Sequence, residues 1–171
     1  MAVTTIPTAG IANDAVDNTK LDLAANYAFT GTVSGAGKVL QVVTNSATST
    51  ITSSTNTRIE VINASITPSS ASNKILIFSQ LNIEITASTN AFLEISIHRG
   101  DIDGTNVNNI NHGHTADEQF NTIITPSFLD TPSTTSSQQY TVGVRKSSSG
   151  TTSWSTQPNN PYNITLMEIE G

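Results

Sequence analysis

The sequence contains no cysteine, which excludes disulfides, thiol catalysis and cysteine-based zinc sites. Charged residues make up only 12% of its 171 residues, and seven scattered basic residues against a net charge of −6 argue against binding to a nucleic-acid backbone. No run approaches the roughly 18 apolar residues of a membrane-spanning helix. Residues 1–10 lack the basic region and apolar core of a secretory signal. We therefore expect neither membrane insertion nor a leader.

Small polar residues are abundant instead. Serine, threonine and asparagine number 21, 27 and 17, which is 65 of 171 residues. Such a composition with little charge occurs both in disordered chains and in β-proteins with hydroxyl- and amide-rich surfaces. The apolar residues decide between the two, because they are mostly Ile, Val, Leu and Phe in alternating runs, which is typical of strands. Residues 38–171 are therefore predicted to be all-β.

The clearest alternation occurs in residues 74–84. Its odd positions are mostly apolar and continue to Ile85, whereas its even positions begin with Leu76 and Phe78 and turn polar from Gln80 onward. A strand that is apolar on both faces lies in a sheet that is itself covered, for example by a neighbouring subunit. Leu76 and Phe78 are therefore predicted contacts between the subunits of an oligomer.

Further strands complete a β-sandwich in residues 38–171. Turn-forming residues separate the apolar runs, and no helical pattern intervenes. This organisation predicts a jelly-roll-like sandwich of 8–10 strands. The predicted strands are 39–44, 57–66, 74–84, 91–99, 121–125, 140–144, 151–155 and 162–169.

Residues 1–37 differ from the rest of the chain. The segment 11–25 has few apolar residues and cannot fold alone, so it must pack on a partner protein or on other copies of the chain. Residues 30–37, TGTVSGAG, hold three glycines and read as a hinge. The chain is thus predicted to have an attachment or oligomerisation segment at 1–37 and a sandwich domain at 38–171.

Catalytic patterns are not apparent in the sequence. There is no G-x-S-x-G elbow, and the glycines of residues 31–37 precede a predicted strand and not a helix, which argues against a phosphate-binding loop. Glu60, Glu84 and Glu94 lie on strands at positions facing away from the predicted core, where we expect them to be solvated. We therefore expect a protein that is not an enzyme and has no required cofactor.

His112 and His114 form the sharpest local motif. On an extended chain, two residues at i and i+2 point the same way. Near the axis of a homotrimer such a pair would present six imidazoles, which suits a transition metal. The alternative is a polar loop, because residues 106–114, NVNNINHGH, are rich in asparagine.

Aromatic residues suggest a second candidate site. Trp154 and Tyr162 could stack on sugar rings of a receptor, because Trp and Tyr combine a flat apolar face with a polar tip. The alternative for Trp154 is a plug in the core or at an interface.

Two parts of the sequence resemble known virion proteins. Residues 11–21, IANDAVDNTKL, followed by residues 27–33, YAFTGTV, resemble segments of phage tail fibres and related virion appendages, especially those of marine phages. The body is similar to a C-terminal β-domain of such fibres. Its matching stretches are VLQVV (39–43), SITPSS (65–70), KILI (74–77), IHRG (97–100), SFLD (127–130), YTV (140–142) and ITLMEI (164–169).

This resemblance implies a homotrimer in the virion, with an N-terminal segment that docks on other virion proteins and a jelly-roll head that faces outward. Some fibre tips hold iron through H-x-H repeats, and His112 and His114 match one copy of that motif. We expect the apolar and aromatic residues of the first segment to make the virion attachment. These are Ile11, Val16, Leu21, Tyr27 and Phe29.

Three functions remain open at this point. The first is a structural protein of a bacteriophage virion, a homotrimeric short tail fibre or appendage that contacts a host glycan or surface protein. The second is a capsid or tail decoration or adaptor protein that stabilises the particle without binding a receptor. The third is a carbohydrate-binding module.

Overall fold

A computed structural model describes residues 38–87, 91–114, 119–147 and 151–171. These residues form eleven β-strands and no helix, which confirms the all-β prediction. None of them belongs to a helix that could cross a membrane. The strands are β1 (Val39–Ala47), β2 (Thr52–Ser53), β3 (Ile59–Ile66), β4 (Lys74–Ala87), β5 (Ala91–Arg99), β6 (Thr105–His114), β7 (Gln119–Ile124), β8 (Ser127–Asp130), β9 (Gln138–Lys146), β10 (Thr151–Thr156) and β11 (Tyr162–Ile169).

The strands form two antiparallel sheets of a jelly-roll-like sandwich. The smaller sheet has the order β3-β9-β5-β6. In the larger sheet the 14-residue strand β4 is central and pairs with four other strands. Its first half lies between β11 and β8, and its second half lies between β10 and β7. β1 and β2 extend the sheet beyond β11 and β10.

The hydrophobic core lies between the two sheets. The larger sheet contributes the inward positions of β4, β10 and β11, and the smaller sheet contributes those of β3, β5 and β9. Most of these side chains are β-branched, which suits a pleated and buried surface. The core residues that are completely buried include Ile75, Ile77, Leu81, Ile83, Leu93, Ile95, Ile97, Val142, Val144, Ile164 and Leu166.

The outward side of the smaller sheet is also buried along β5 and β9. Ser96 and Thr141 are fully buried although they face away from the core. Gly143, next to them, is covered closely: a Cβ atom at this position would lie 2.2 Å from Cδ1 of Ile102 and 3.0 Å from the side chain of Arg58. The polar positions of these strands are therefore shielded by neighbouring loops and do not form an open surface.

Candidate functional site on the outer face of the larger sheet

The outer face of the larger sheet carries apolar and polar side chains that do not belong to the core. Its character changes along β4, as the sequence predicted. The outward side chains of the first half of β4 are Leu76 and Phe78, and those of the second half are Gln80, Asn82, Glu84 and Thr86. Neighbouring strands follow the same division, so one half of the face is apolar and the other is polar.

A row of apolar side chains crosses the apolar half. Cross-strand pairing places Val42 opposite Met167, Met167 opposite Leu76, and Leu76 opposite Leu129. The row thus runs over four strands, β1, β11, β4 and β8. Val42 is 53% exposed and Leu129 is 47% exposed. Met167 and Leu76, between them, are half-buried. A contiguous apolar surface that is partly exposed in this way is typical of a contact with another protein.

Phe78 extends this surface by a second row. Thr44, Thr165 and Ser127 lie in the same row, and Phe78 is 44% exposed among them. Neither row contains a charged side chain. We call the five residues Val42, Leu76, Phe78, Leu129 and Met167 the apolar patch.

The prediction that Leu76 and Phe78 contact other subunits concerns two members of this patch. Leu76 is half-buried and Phe78 is exposed. The side chain of Phe78 can therefore contact a partner protein. Contact with a second copy stays a prediction.

The polar half of the face contains a cleft of about 380 Å³. It lies beside the part of β4 where pairing with β11 ends and pairing with β10 begins, close to Pro161. The backbone N–H of Gln157 donates to the carbonyl oxygen of Asn82 at 2.9 Å, which closes one side of the cleft. We call this site the amide cleft, and its lining residues are Asn82, Asn121, Thr122, Ile123, Gln157 and Asn160.

Hydrogen bonds hold three amide side chains of the cleft in position. Nε2 of Gln157 donates to Oδ1 of Asn121 at 2.6 Å and to Oε2 of Glu84 at 3.0 Å. Nδ2 of Asn82 donates to the carbonyl oxygen of Pro161 at 2.6 Å. These contacts fix donors and acceptors at the cleft before any ligand arrives. Ile123, at 64% exposure, adds an apolar surface beside them.

Trp154 and Tyr162 do not lie on a surface, which corrects the prediction that they contact a receptor. Each side chain is 1% exposed and belongs to the core. The alternating pattern of β10 and β11 points both rings inward, where Trp154 pairs with Ile85 across the sheet. The alternative interpretation of Trp154 as a core residue is confirmed.

His112 and His114 lie on strand β6, so the alternative of a polar loop is wrong. The pairing partner of β6 is β5, which places His112 opposite Leu93 and His114 opposite Ala91. His112 is half-buried, and the side chain of His114 is outside the described residues. No group of three or more metal-binding side chains occurs within the ranges that the structure describes. Metal binding between copies of the chain stays a prediction.

The predicted attachment residues Ile11, Val16, Leu21, Tyr27 and Phe29 lie outside the described residues. The proposed division at residue 37 likewise remains a prediction from the sequence.

Sequence reasoning missed an ion-pair cluster on the smaller sheet. Glu94, which was expected to be solvated, is 8% exposed and pairs with Arg58 and with Arg145, the latter at 2.5 Å. Burial raises the pKa of Glu94, but the guanidinium groups of Arg145 and Arg58 outweigh burial and lower its pKa below the ordinary value. The expectation of a solvated Glu94 is therefore wrong.

A second missed network joins the two sheets. Asp130 of β8 accepts hydrogen bonds from Arg99 at 2.5 and 2.9 Å and from the hydroxyl of Tyr140 at 2.6 Å. Burial raises the pKa of Tyr140, and the neighbouring carboxylate of Asp130 raises it further. This network therefore links strands of opposite sheets at one end of the core.

Ser96 and His98 form a pair with the spacing of a nucleophile and its base. Oγ of Ser96 lies 2.9 Å from Nε2 of His98, and Nδ1 of His98 lies 3.1 Å from the carbonyl oxygen of Gly104. Ser96 is fully buried and His98 is 3% exposed, so a substrate cannot reach Oγ in this conformation. The pair satisfies buried polar groups of the smaller sheet.

No protein-family model matches the chain, and no curated protein matches its sequence. Three solved structures illustrate what its fold is similar to. A structure of infectious bursal disease virus, Gx strain, has 18% identity and a TM-score of 0.48, over 86% of this chain and 38% of that chain. The crystal structure of the VP2 subviral particle of infectious bursal disease virus has 18% identity and a TM-score of 0.48, over 77% and 33%.

The third structure is that of Bacillus endospore appendages, which form disulfide-linked pili. It has 12% identity and a TM-score of 0.35, over 84% of this chain and 100% of that chain. The present chain thus spans well under half of the two viral chains. Because all three TM-scores are below 0.5, these similarities assign neither a family nor a function.

Proposed function

We propose that this chain is a non-enzymatic structural subunit of a bacteriophage virion, a homotrimeric head that assembles through the apolar patch. The observation that carries the proposal is the exposed apolar row across β1, β11, β4 and β8. Burial of exposed apolar area is the main driving force of protein association. An apolar surface that runs over four strands in this way favours a permanent contact with another protein.

Charge does not oppose a second copy of the chain at the apolar patch. The chain has a net charge of −6, so copies repel one another at long range. The two rows of the apolar patch contain no charged side chain, and copies that meet through them bring no like charges into contact. The resemblance of the sequence to virion appendages supports three copies in the assembly.

Attachment to other virion proteins is assigned to residues 1–37. The segment 11–25 is too short and has too few large apolar side chains to fold alone, whereas residues 38–171 contain a core of their own. Removal of residues 1–37 should therefore leave a folded, soluble head that no longer joins the particle. Circular dichroism of the shortened chain and its abundance in purified virions test this. Incorporation at the level of the full chain would overturn the assignment.

Imaging of virions that carry a labelled copy of the protein tests the location. A label on the tail supports a short tail fibre or appendage that contacts the host cell. A label spread over the capsid supports instead the decoration or adaptor protein that stabilises the particle. Absence of the label from purified virions would overturn the proposed function and leave the carbohydrate-binding module.

A further inference from the structure

We propose that the amide cleft binds a neutral carbohydrate. This inference deepens the proposed function, because it names the class of receptor group that the head would contact, and it rests on that function for the source of the glycan. The cleft of about 380 Å³ has room for one or two sugar rings and is open to solvent.

The unpaired polar groups of the cleft match the chemistry of sugar hydroxyls. Oε1 of Gln157, Oδ1 of Asn82 and Nδ2 of Asn121 make no hydrogen bond within the described part of the chain. The side chain of Asn160 likewise makes none there. The site thus offers donors and acceptors together, and a sugar hydroxyl both donates and accepts.

Preorganisation strengthens this match. Gln157 is held by Glu84 and Asn121, and Asn82 is held by the carbonyl oxygen of Pro161. A ligand therefore meets side chains whose rotamers are already restricted, which lowers the entropic cost of binding. Ile123 lies beside them with 64% of its side chain exposed and can cover the apolar C–H face of a sugar ring.

Charge selects against other ligand classes. The lining residues carry no cationic side chain, and one of them, Gln157, donates a hydrogen bond to the carboxylate of Glu84. Phosphate, sulfate and sialic acid would therefore meet a negative charge without a compensating positive one. A neutral glycan avoids this repulsion.

Binding should be measured with the full-length chain, first on an array that carries neutral, sialylated and sulfated glycans. Titration calorimetry with lactose, maltotriose, mannotriose and chitotriose then gives the affinity of the intact protein. We expect neutral glycans to bind and anionic ones to bind more weakly. Failure of every neutral glycan to bind, or preference for the anionic set, would overturn the inference.

Three substitutions test whether the cleft is the site. Asn121→Ala, Gln157→Ala and Asn160→Ala should each weaken binding about tenfold, because each removes a hydrogen-bonding partner. Asn160→Ala is the decisive variant, since its side chain makes no hydrogen bond in the described part of the chain and its loss does not break the cleft. Asn56→Ala, an exposed amide outside the cleft, is the matched control and should bind normally.

Equal binding by the three cleft variants and the control would place the glycan elsewhere and overturn the inference. The molar mass of the same samples separates this result from failure of the proposed function. A trimer without glycan binding defeats only the inference about the cleft. A monomer that binds neutral glycans through the cleft defeats only the proposed assembly.

Discussion

Glu168 is a fully buried carboxylate held by four hydrogen bonds. Oε1 accepts from the backbone N–H and the hydroxyl of Ser69 and from Nδ2 of Asn73, and Oε2 accepts from Nε2 of Gln41. Burial alone raises the pKa of Glu168, but these hydrogen bonds outweigh it and lower the pKa to about 2. The ionised side chain therefore ties β11 to β1 and to the segment before β4.

We expect Glu168 to make stability depend on pH. Its pKa is depressed from 4.5, so its contribution is complete above about pH 4.5 and is lost as pH falls toward 2. A shift of this size corresponds to about 3 kcal/mol in the free energy of unfolding. Urea unfolding between pH 2 and 7 should show this loss for the native chain.

The variant Glu168→Gln should be less stable than the native chain near pH 7 and should lack this component of the pH dependence. Glu60→Gln is the matched control, because Glu60 is a half-buried strand carboxylate with one hydrogen bond, from Asn63. An unchanged pH profile in Glu168→Gln would contradict the role of this carboxylate.

Trp154 is a core residue whose indole N–H has no hydrogen-bond partner in the described residues. Replacement by Phe removes this unsatisfied donor and should cost much less than replacement by Ala, for which we expect a loss of about 3–5 kcal/mol. Tyr162→Phe is the comparison, because the hydroxyl of Tyr162 is hydrogen-bonded to Ser49. Its removal should therefore lower the free energy of unfolding, whereas the unpaired indole N–H of Trp154 is lost without breaking a hydrogen bond. Chemical unfolding that finds Trp154→Phe as damaging as Trp154→Ala would contradict this account.

The buried position of Glu168 could be predicted from the sequence, but its partners could not. Tyr162, Ile164 and Leu166 alternate, and continuation of the pattern points Glu168 inward. The donors lie 95 to 127 residues away in sequence, and alternation does not tell which distant side chains meet. For the same reason, the alternation did not predict the partners of Glu94 and Asp130.

Strand β4 shows at the scale of elements how much a pattern can predict. The change of its outward residues from apolar to polar was visible in the sequence. The structure confirms the predicted alternation of buried and outward residues along this strand. The neighbouring residues of the apolar patch were not predicted, because strand pairing brings Val42, Met167 and Leu129 beside Leu76.

We expect Phe78→Ser to weaken self-association without unfolding the head. Phe78 is 44% exposed, so the change removes little buried area within one chain but a large apolar group from the proposed interface. Light scattering over a dilution series should show dissociation at higher concentrations than for the native chain. Ile123→Ser is the matched control, because Ile123 is an exposed apolar residue outside the patch. Equal dissociation of both variants would contradict an interface at Phe78.

Most strands were predicted from the alternation of apolar and polar residues. The strands that this pattern did not predict are β2, β6 and β8, and each has a physical reason. The predictions for 91–99 and 162–169 coincide with β5 and β11. β6 was missed because it is rich in asparagine, which is uncommon in strands, and pairing with β5 overrides that preference. β2 and β8 have only two and four residues, which is too short for a periodic signal.

For the whole molecule, the sequence predicted a two-layer sandwich but not its strand order. Alternation says which face of a strand is buried, and many pairings satisfy the same pattern. The serine-, threonine- and asparagine-rich composition, which by itself allowed disorder, belongs in the described ranges to strand faces and loops around a buried core. The apolar patch interrupts this polar surface, as Ile123 does elsewhere, and the patch supports the proposed assembly because its side chains lie side by side across four strands.

The molar mass of the full-length chain in solution tests that assembly most directly. Size-exclusion chromatography with light scattering should give about 54 kDa, three times the 18.0 kDa of one chain. Phe78→Ser should shift the mass toward one chain, and Ile123→Ser should leave it unchanged. A native mass near 18.0 kDa would contradict the account, because the apolar patch would then remain uncovered in the free protein.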